Sequence, residues 1–413
     1  MPQAITVRLP GGASGTQLAA LPPLSLYVHM PWCVKKCPYC DFNSHELRGS
    51  LADSAYADAL IRDLELALPQ IWGRRVYSIF IGGGTPSLFP AATLDRLLAD
   101  IRARLQLSAD CEITMEANPG TFEADKFRDY AAAGINRLSM GVQSFNPGHL
   151  KALGRIHDDA EAWRAIETAS KYFDNINLDL MYALPKQTLA EAEADCRAAL
   201  SCGTNHLSFY HLTLEPNTVF HRYPPELPDE DTSADIQERL QVMLAEGGYG
   251  NYETSAYAKS GRECRHNLNY WRFGDYLGIG AGAHTKLSFP DRIIRQARYK
   301  QPQSYFDQLG RGSAISEEHA VTRADLPFEF MMNALRLSDG FPVALFHERT
   351  GLEISSVHRE LEAAEAKGLI ARTHETIRPT PLGQRFLNDL LGLFLPDHNQ
   401  AVQPMMMPDS ARK

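Results

Sequence analysis

Three of the seven cysteines in this 413-residue chain stand within eight consecutive positions. Cys33, Cys37 and Cys40 form a C-x3-C-x2-C run. Soft metals and iron–sulfur clusters prefer thiolates, and this spacing lets three sulfurs of one loop face a common centre. A four-iron cluster held in this way keeps one iron without a cysteine ligand from the loop, because Phe42 stands where a further close ligand could have been. Substrate or cosubstrate binds at an open position on a metal, so the run indicates a catalytic cluster more than an electron-transfer one.

Two alternatives remain open on the residues alone. Free cysteine is among the most buried residue types, so the thiols could be structural, although Pro31 and Pro38 interrupt regular structure around them. A zinc site with His29 or His45 as fourth ligand is the other alternative, although the paired C-x2-C spacing of structural zinc sites is absent. The close clustering of the thiols favours the iron–sulfur interpretation.

The composition is that of an ordinary globular protein, with 44% hydrophobic and 22% charged residues. The net charge of −9 gives no electrostatic basis for non-specific binding to nucleic acid or to an anionic membrane surface. Residues 1–24 carry only Arg8 as a cation and lack a continuous apolar core, unlike a secretory signal. No stretch approaches the ~20 apolar residues of a membrane span. The odd cysteine count fits a reducing compartment, so we expect a cytoplasmic protein with a flexible N-terminus over residues 1–24.

Short β-rich runs alternate with helical patterns between residues 25 and 247. The predicted strands are Ser25–Met30, Val76–Ile81, Cys111–Glu116, Asn136–Val142, Ile176–Tyr182 and His206–Leu212. The predicted helices are Tyr56–Leu68, Thr93–Leu105, Asp125–Ala133, Ala160–Tyr172, Leu189–Cys202 and Thr232–Glu246. Strands and helices that alternate at this spacing predict a parallel sheet with right-handed crossovers. Six units are too few to close an eight-stranded barrel, so the fold class is α/β, with an open, partial (β/α)6 barrel.

Polar residues follow the predicted strands at their carboxyl ends, where parallel α/β sheets collect their functional groups. We therefore expect one shared mouth. Its predicted residues are the cysteine loop, Gly82 to Thr85, Glu116, Gln143, Asp179, Tyr210 and His211.

The cysteine run and the segment before it, Tyr27-Val28-His29-Met30-Pro31-Trp32, resemble the radical S-adenosylmethionine (SAM) signature. Within that superfamily the chain is similar to the oxygen-independent coproporphyrinogen III oxidases, and in that group to the HemW-type haem chaperones. The resemblance extends from about residue 24 to residue 395.

The resemblance implies a [4Fe–4S] cluster held by the three cysteines, with SAM chelating the remaining iron. It also implies a role for residues that match family positions. Gly83, Gly84 and Thr85 match a glycine-rich SAM motif, and Glu116 matches an acid that binds ribose. The other matches are Gln143, Arg155 and Asp179 as SAM contacts, and Tyr27 and Tyr39 beside the cluster and cosubstrate. On its own, Arg155 would be interpreted as a solvated surface arginine.

Residues 248–315 break the alternating pattern, and their glycines and aromatics predict an irregular segment that covers the open side of the barrel. Here His266-Asn267-x-x-Tyr270-Trp271 matches the HNxxYW motif of the chaperones. The resemblance makes His266 a candidate haem ligand, and Tyr270 and Trp271 candidates for stacking on a porphyrin. On the residues alone, a histidine and two aromatics that satisfy a core are the alternative.

Residues 316–395 predict a winged-helix-like α+β domain of three helices, a hairpin and a last helix. This segment has 8 Lys and Arg against 12 Asp and Glu, so we expect a partner or substrate contact and not nucleic acid. Residues 396–413, with Met405, Met406 and Met407, are expected to be disordered, and their thioethers are a remote candidate for haem ligation.

The resemblance leaves two functions to compare. The oxidases carry a fourth cysteine two residues after the third, where this chain has Phe42. That departure and the HNxxYW motif favour a haem chaperone, with haem and haem-accepting proteins as partners, including peripheral contact with a membrane-bound acceptor. Radical SAM oxidative decarboxylation of coproporphyrinogen III is the alternative.

Overall fold

The computed structural model describes residues 17–119 and 124–396. Six strand–helix units follow one another from residue 24 to residue 246. Their strands are β1 (Leu24–Met30), β2 (Arg75–Gly83), β3 (Gln106–Ala117), β4 (Arg137–Gln143), β5 (Ile176–Tyr182) and β6 (His206–His211). Their helices are α1 (Asp53–Ile71), α2 (Ala91–Arg104), α3 (Ala124–Ala132), α4 (Asp159–Ala169), α5 (Leu189–Ser201) and α6 (Glu230–Glu246). All six strands pair in parallel, which confirms the predicted α/β fold class.

Side chains of β1 alternate between the main hydrophobic core and the inside of the barrel. Leu26 and Val28 are buried in the main hydrophobic core. The alternate residues Ser25 and Tyr27 contact interior side chains of β2, because successive residues of a strand point to opposite faces. The polar side chains Ser25 and Tyr27 of β1 therefore face the inside of the barrel.

The segment 248–315 consists of regular strands and helices, so the prediction that it is irregular is wrong. It contributes β7 (Gly250–Glu253), β8 (Ala256–Ala258), α7 (Arg265–Trp271), β9 (Asp275–Ile279), β10 (His284–Ser288), β11 (Ile293–Arg298), α8 (Pro302–Gly310) and the start of β12 (Ile315–Ala320). The strand order of the sheet is β12-β11-β10-β9-β1-β2-β3-β4-β5-β6-β8-β7. Because β9 pairs in parallel with β1, it adds a seventh parallel strand, and the other strands extend both edges in antiparallel pairs.

The C-terminal domain has the predicted winged-helix-like order. Its helices are α9 (Leu326–Ala334), α10 (Val343–Thr350), a 3-10 turn (Ile354–Val357) running into α11 (His358–Ala366), then α12 (Pro381–Arg385) and α13 (Leu387–Gly392). Its small sheet has the order β13 (Phe341–Pro342), β15 (Thr376–Pro379), β14 (Ile370–Arg372). The predicted domain start at 316 falls inside β12, which pairs with β11 of the large sheet.

Part of the segment expected to be flexible, residues 17–24, is anchored. Leu18 packs in the apolar core of the C-terminal domain with Phe273 and Ile293, and its N–H donates to the Pro290 carbonyl at 3.1 Å. Residues 1–16 and the methionine tail lie outside the described residues. In the described ranges no helix is long and apolar enough to cross a bilayer.

Candidate cluster and cosubstrate site

The cysteine loop leaves the end of β1 and is closed at its base by a short parallel strand pair. Trp32–Cys33 pairs with His45–Glu46. Within the loop the Cys40 N–H donates to the Cys37 carbonyl at 3.2 Å, and Lys36 Nζ donates to the Phe42 carbonyl at 3.0 Å. These local bonds hold the loop without helix or extended sheet, as its prolines require.

All three loop thiols line one cavity of about 500 Å³ at the carboxyl ends of the strands. Each thiol is partly exposed, and all seven cysteines of the chain are free. In the described ranges no three His, Cys, Asp or Glu side chains are already arranged around one point as metal ligands. Burial raises the pKa of Cys33 and of Cys40, so both are protonated near neutral pH until a metal binds them. Three soft donors on one loop, facing a cavity of this size, suit a cluster that is also open to a second ligand.

The glycine turn after β2 brings backbone close to the loop. A Cβ at Gly84 would lie 2.5 Å from the Trp32 carbonyl oxygen. Gly83 has φ +113°, and a Cβ there would lie 2.5 Å from the His29 ring. Both positions therefore require glycine, and the turn forms one wall of the cavity.

Glu116, at the end of β3, accepts a hydrogen bond from the Gly83 N–H at 2.9 Å. A Cβ at Gly82 would lie 3.0 Å from the Glu116 carboxyl carbon, so glycine there makes room for the carboxylate. Burial, opposed by the Gly83 hydrogen bond and aided by the charge of Asp179, raises the pKa of Glu116 to about 7. The carboxylate is therefore partly protonated at neutral pH and is poised to accept donors from a ligand.

A chain of polar contacts joins the glycine turn to the cysteine loop. Asn118 Nδ2 donates to Thr85 Oγ1 at 3.1 Å, and Asn118 Oδ1 accepts from Arg155 Nη2 at 2.6 Å. The other arm, Arg155 Nη1, lies 3.6 Å from Cys37 Sγ. Arg155 is thus a cavity residue and not the solvated surface arginine that its sequence context alone would indicate.

Gln143 and Asp179 line the same cavity from β4 and β5. Gln143 has φ 68°, a left-handed conformation that is uncommon outside glycine, and it follows a register shift in the pairing of β4 with β5. Asp179 accepts from Ser139 Oγ and from Asn177 Nδ2, each at 2.8 Å. Burial is the main cause that raises the pKa of Asp179.

The two tyrosines take different positions. Tyr39 lines the cavity and packs near the Phe220 ring, with centroids 6.4 Å apart. Tyr27 is not among the residues that line it. The Tyr27 hydroxyl lies 3.0 Å from His29 Nδ1, and His29 Nε2 lies 2.9 Å from the Asn43 carbonyl, to which it must donate. Tyr27 therefore supports the cysteine loop through His29.

His266 does not face the cavity. Its ring lies between interior side chains, with Nδ1 at 3.2 Å from Ser78 Oγ and the ring centroid at 5.1 Å from that of Phe80. Burial, with a smaller effect from Arg137, lowers the pKa of His266 to about 3, so the imidazole is neutral. In this conformation His266 anchors α7 to the barrel, and its expected role as an open haem ligand is not available without movement of that helix.

Tyr270 and Trp271 are likewise engaged within the protein. Tyr270 stacks on Tyr276 with centroids 4.8 Å apart, and the Arg336 guanidinium lies 4.4 Å from the Trp271 ring centroid. Neighbouring side chains therefore cover part of each ring, both residues stay partly exposed, and stacking on a porphyrin remains a prediction.

The cavity also contains residues that were not predicted. Arg137, Asn177 and His206 line its inner part, and Asn118 connects its two walls. The charge of Arg137 at the start of the otherwise uncharged strand β4 was a signal that the sequence offered. The amide and imidazole residues carried none, since each is common in loops and at strand ends.

Comparison with known proteins gives consistent matches. Residues 27–199 match the model of the Radical SAM superfamily, and residues 321–386 match the HemN C-terminal domain. A protein of Escherichia coli (strain K12) named Heme chaperone HemW is 50% identical over 380 residues, which cover 92% of this chain and all of that protein. A protein of the same name from Bacillus subtilis (strain 168) is 34% identical, over 90% of this chain and 99% of its own length. The solved structure of coproporphyrinogen III oxidase (HemN) from Escherichia coli, a radical SAM enzyme, superposes with a TM-score of 0.77 at 25% identity, over 91% of this chain and 90% of its own.

Proposed function

Because this chain belongs to the heme chaperone HemW family of the radical SAM superfamily, we propose that it binds haem and delivers it to acceptor proteins. The observation that carries the proposal is the difference in identity, 50% to a protein named as a haem chaperone and 25% to a coproporphyrinogen III oxidase. Phe42, at the position of the fourth cysteine that resemblance assigns to the oxidases, supports the same choice.

We place a [4Fe–4S] cluster on Cys33, Cys37 and Cys40, with SAM on the open iron. Gly83, Gly84, Thr85, Glu116, Gln143, Arg155 and Asp179 are the proposed SAM contacts, and Tyr39 lies beside them in the cavity. The cluster supplies an electron when bound. The chain's own residues would hold the amino acid and ribose parts of SAM by charge-assisted hydrogen bonds.

The proposed haem ligand remains His266, whose imidazole is of the type that binds haem iron most often. Ligation through Nδ1 would require His266 to release Ser78, and because the ring is buried, ligation through either nitrogen would require α7 to shift. The cytoplasm is the proposed location, with acceptors that include membrane-bound proteins reached from the surface.

The alternative function is oxidative decarboxylation of coproporphyrinogen III. The superposition with the oxidase over nine-tenths of the chain is the observation that favours it. An anaerobic assay with coproporphyrinogen III and SAM, run beside a haem titration of the same preparation, separates the two functions.

A further inference from the structure

One charged side chain of the cavity is not explained by the proposed cofactor contacts. Arg137, at the start of β4, is 2% exposed and still lines the cavity that holds the cluster thiols. Its Nε has no hydrogen-bond partner within the described ranges. Its guanidinium also forms no ion pair within 4.0 Å with any described carboxylate. Burial of a cation without a partner costs free energy, so an anionic group of a ligand would stabilise this guanidinium.

The two carboxyl groups whose charge acts on Arg137, those of Glu112 and Asp179, are bonded to other groups. Glu112 Oε1 accepts from the His266 N–H at 3.2 Å and lies 3.5 Å from Cys264 Sγ. Asp179 accepts from Ser139 and Asn177. Both carboxylates act on Arg137 through space, but neither closes on it as a direct partner.

The remaining groups around Arg137 are neutral and satisfied. His206 Nδ1 lies 2.6 Å from Asn177 Oδ1, and His206 Nε2 lies 2.8 Å from the Tyr252 hydroxyl. Burial, with a smaller effect from Arg137, lowers the pKa of His206, so it carries no charge. Asn267 of α7 lines the same cavity, and its chain neighbour His266 donates its N–H to Glu112, whose charge acts on Arg137.

We propose that Arg137, together with the Asn267 amide, binds a carboxylate of a ligand that enters the barrel from the cavity mouth. Arg137 pairs in register with Thr114, two residues before Glu116, which places it about 7 Å deeper than the predicted ribose-binding acid. A ligand carboxylate must therefore enter the inner part of the cavity to reach Arg137. This inference rests on the proposed function, because a propionate of haem is the expected carboxylate, and the carboxylate of SAM is the other source.

The test compares haemin with its dimethyl ester, in which both propionates are uncharged. The parent protein should bind haemin at least tenfold more tightly than the ester. Arg137→Met should bind haemin as weakly as the parent binds the ester, and its affinity for the ester should be unchanged. The methionine side chain keeps most of the volume of the arginine and removes its charge. Arg265→Met, on the exposed side of the same helix as Asn267, is the control and should match the parent for both ligands.

SAM affinity is measured on the same proteins. Unchanged SAM binding with weaker haemin binding assigns the carboxylate to haem, and the reverse pattern assigns it to SAM. If Arg137→Met changes neither affinity, the carboxylate site is rejected while the proposed function stands. If the parent binds no haem, the proposed function is rejected and the SAM affinities alone decide the site.

A second variant tests the proposal if Arg137→Met does not fold. Asn267→Asp adds a carboxylate to the lining of the same cavity, which would compete for Arg137 and should weaken binding of the carboxylate ligand at least tenfold. Unchanged affinity for both haemin and SAM in that variant overturns the proposal.

Discussion

Arg155 Nη1 lies 3.6 Å from the sulfur of Cys37, on a side chain whose other nitrogen donates to Asn118 Oδ1 and to the Gly141 carbonyl, each at 2.6 Å. A single guanidinium thus connects the cysteine loop with the ends of two strands. The contact places a fixed positive charge where thiolates and an anionic ligand group would meet, which is favourable for both.

Arg155→Ala should therefore weaken SAM binding. Loss of a charge-assisted contact of roughly 1.5–3 kcal/mol lowers affinity by about one to two decades. SAM affinity is measured on reconstituted protein, together with iron content, because Arg155 also touches Cys37. Arg164→Ala, an exposed arginine of α4, is the matched control. Unchanged SAM affinity with an intact cluster would show that Arg155 is not a SAM contact.

Replacement of Cys33, Cys37 and Cys40 together by alanine should abolish cluster binding. The reconstituted parent should hold about four irons per chain, and the triple variant almost none. Alanine at Cys111, Cys196 and Cys202 is the matched control, since these thiols do not line the cavity. If the cluster absorbance survives in the first variant and disappears in the second, the cluster is bound by other cysteines than those of the loop.

Glu116 should make stability depend on pH. Its pKa is raised to about 7 in the folded chain, so the unfolded chain ionises first as pH rises. The stability it contributes is present below about pH 4.5 and is lost by about pH 7, an effect of up to about 3 kcal/mol. The free energy of unfolding of iron-free parent, relative to Glu116→Gln, should fall across this range in urea titrations. A difference that stays constant from pH 4.5 to pH 8 contradicts the raised pKa.

His266 and Ser78 share one hydrogen bond, and their variants separate ligation from anchoring. His266→Phe removes the iron donor and keeps a ring, so the Soret band should shift and haem affinity should fall. Ser78→Ala removes the same hydrogen bond but leaves the imidazole, so it should bind haem at least as tightly as the parent. Cluster content and SAM affinity should remain near parental values in both. If His266→Phe keeps the parental spectrum and affinity, another donor such as the exposed His284 must be tested.

The barrel could be predicted because its strands and helices carry their own signals. β5 begins at Ile176 and ends at Tyr182, as the apolar run predicts. The strands after residue 248 could not be predicted in the same way. β10 buries Lys286, a charge that a strand interior rarely accepts, and the compensation is non-local, since its Nζ lies 3.0 Å from Asp275 Oδ1 on β9.

Only part of the candidate site could be predicted from the sequence. Residues at strand ends such as Glu116 and Asp179 could be assigned to one mouth, because parallel strands end at the same edge. The HNxxYW motif does not determine the orientation of the His266 side chain, because a histidine on a helix can face either a cavity or the protein core. In this structure the His266 side chain faces the core, where it contacts Ser78, a residue 188 positions away in the sequence.

We expect this chain to carry haem and not to oxidise coproporphyrinogen III. The most direct measurement is an anaerobic incubation of reconstituted protein with coproporphyrinogen III and SAM, with a haem titration of the same preparation. We predict saturable haem binding and no formation of protoporphyrinogen. Stoichiometric formation of protoporphyrinogen with consumption of SAM would contradict it.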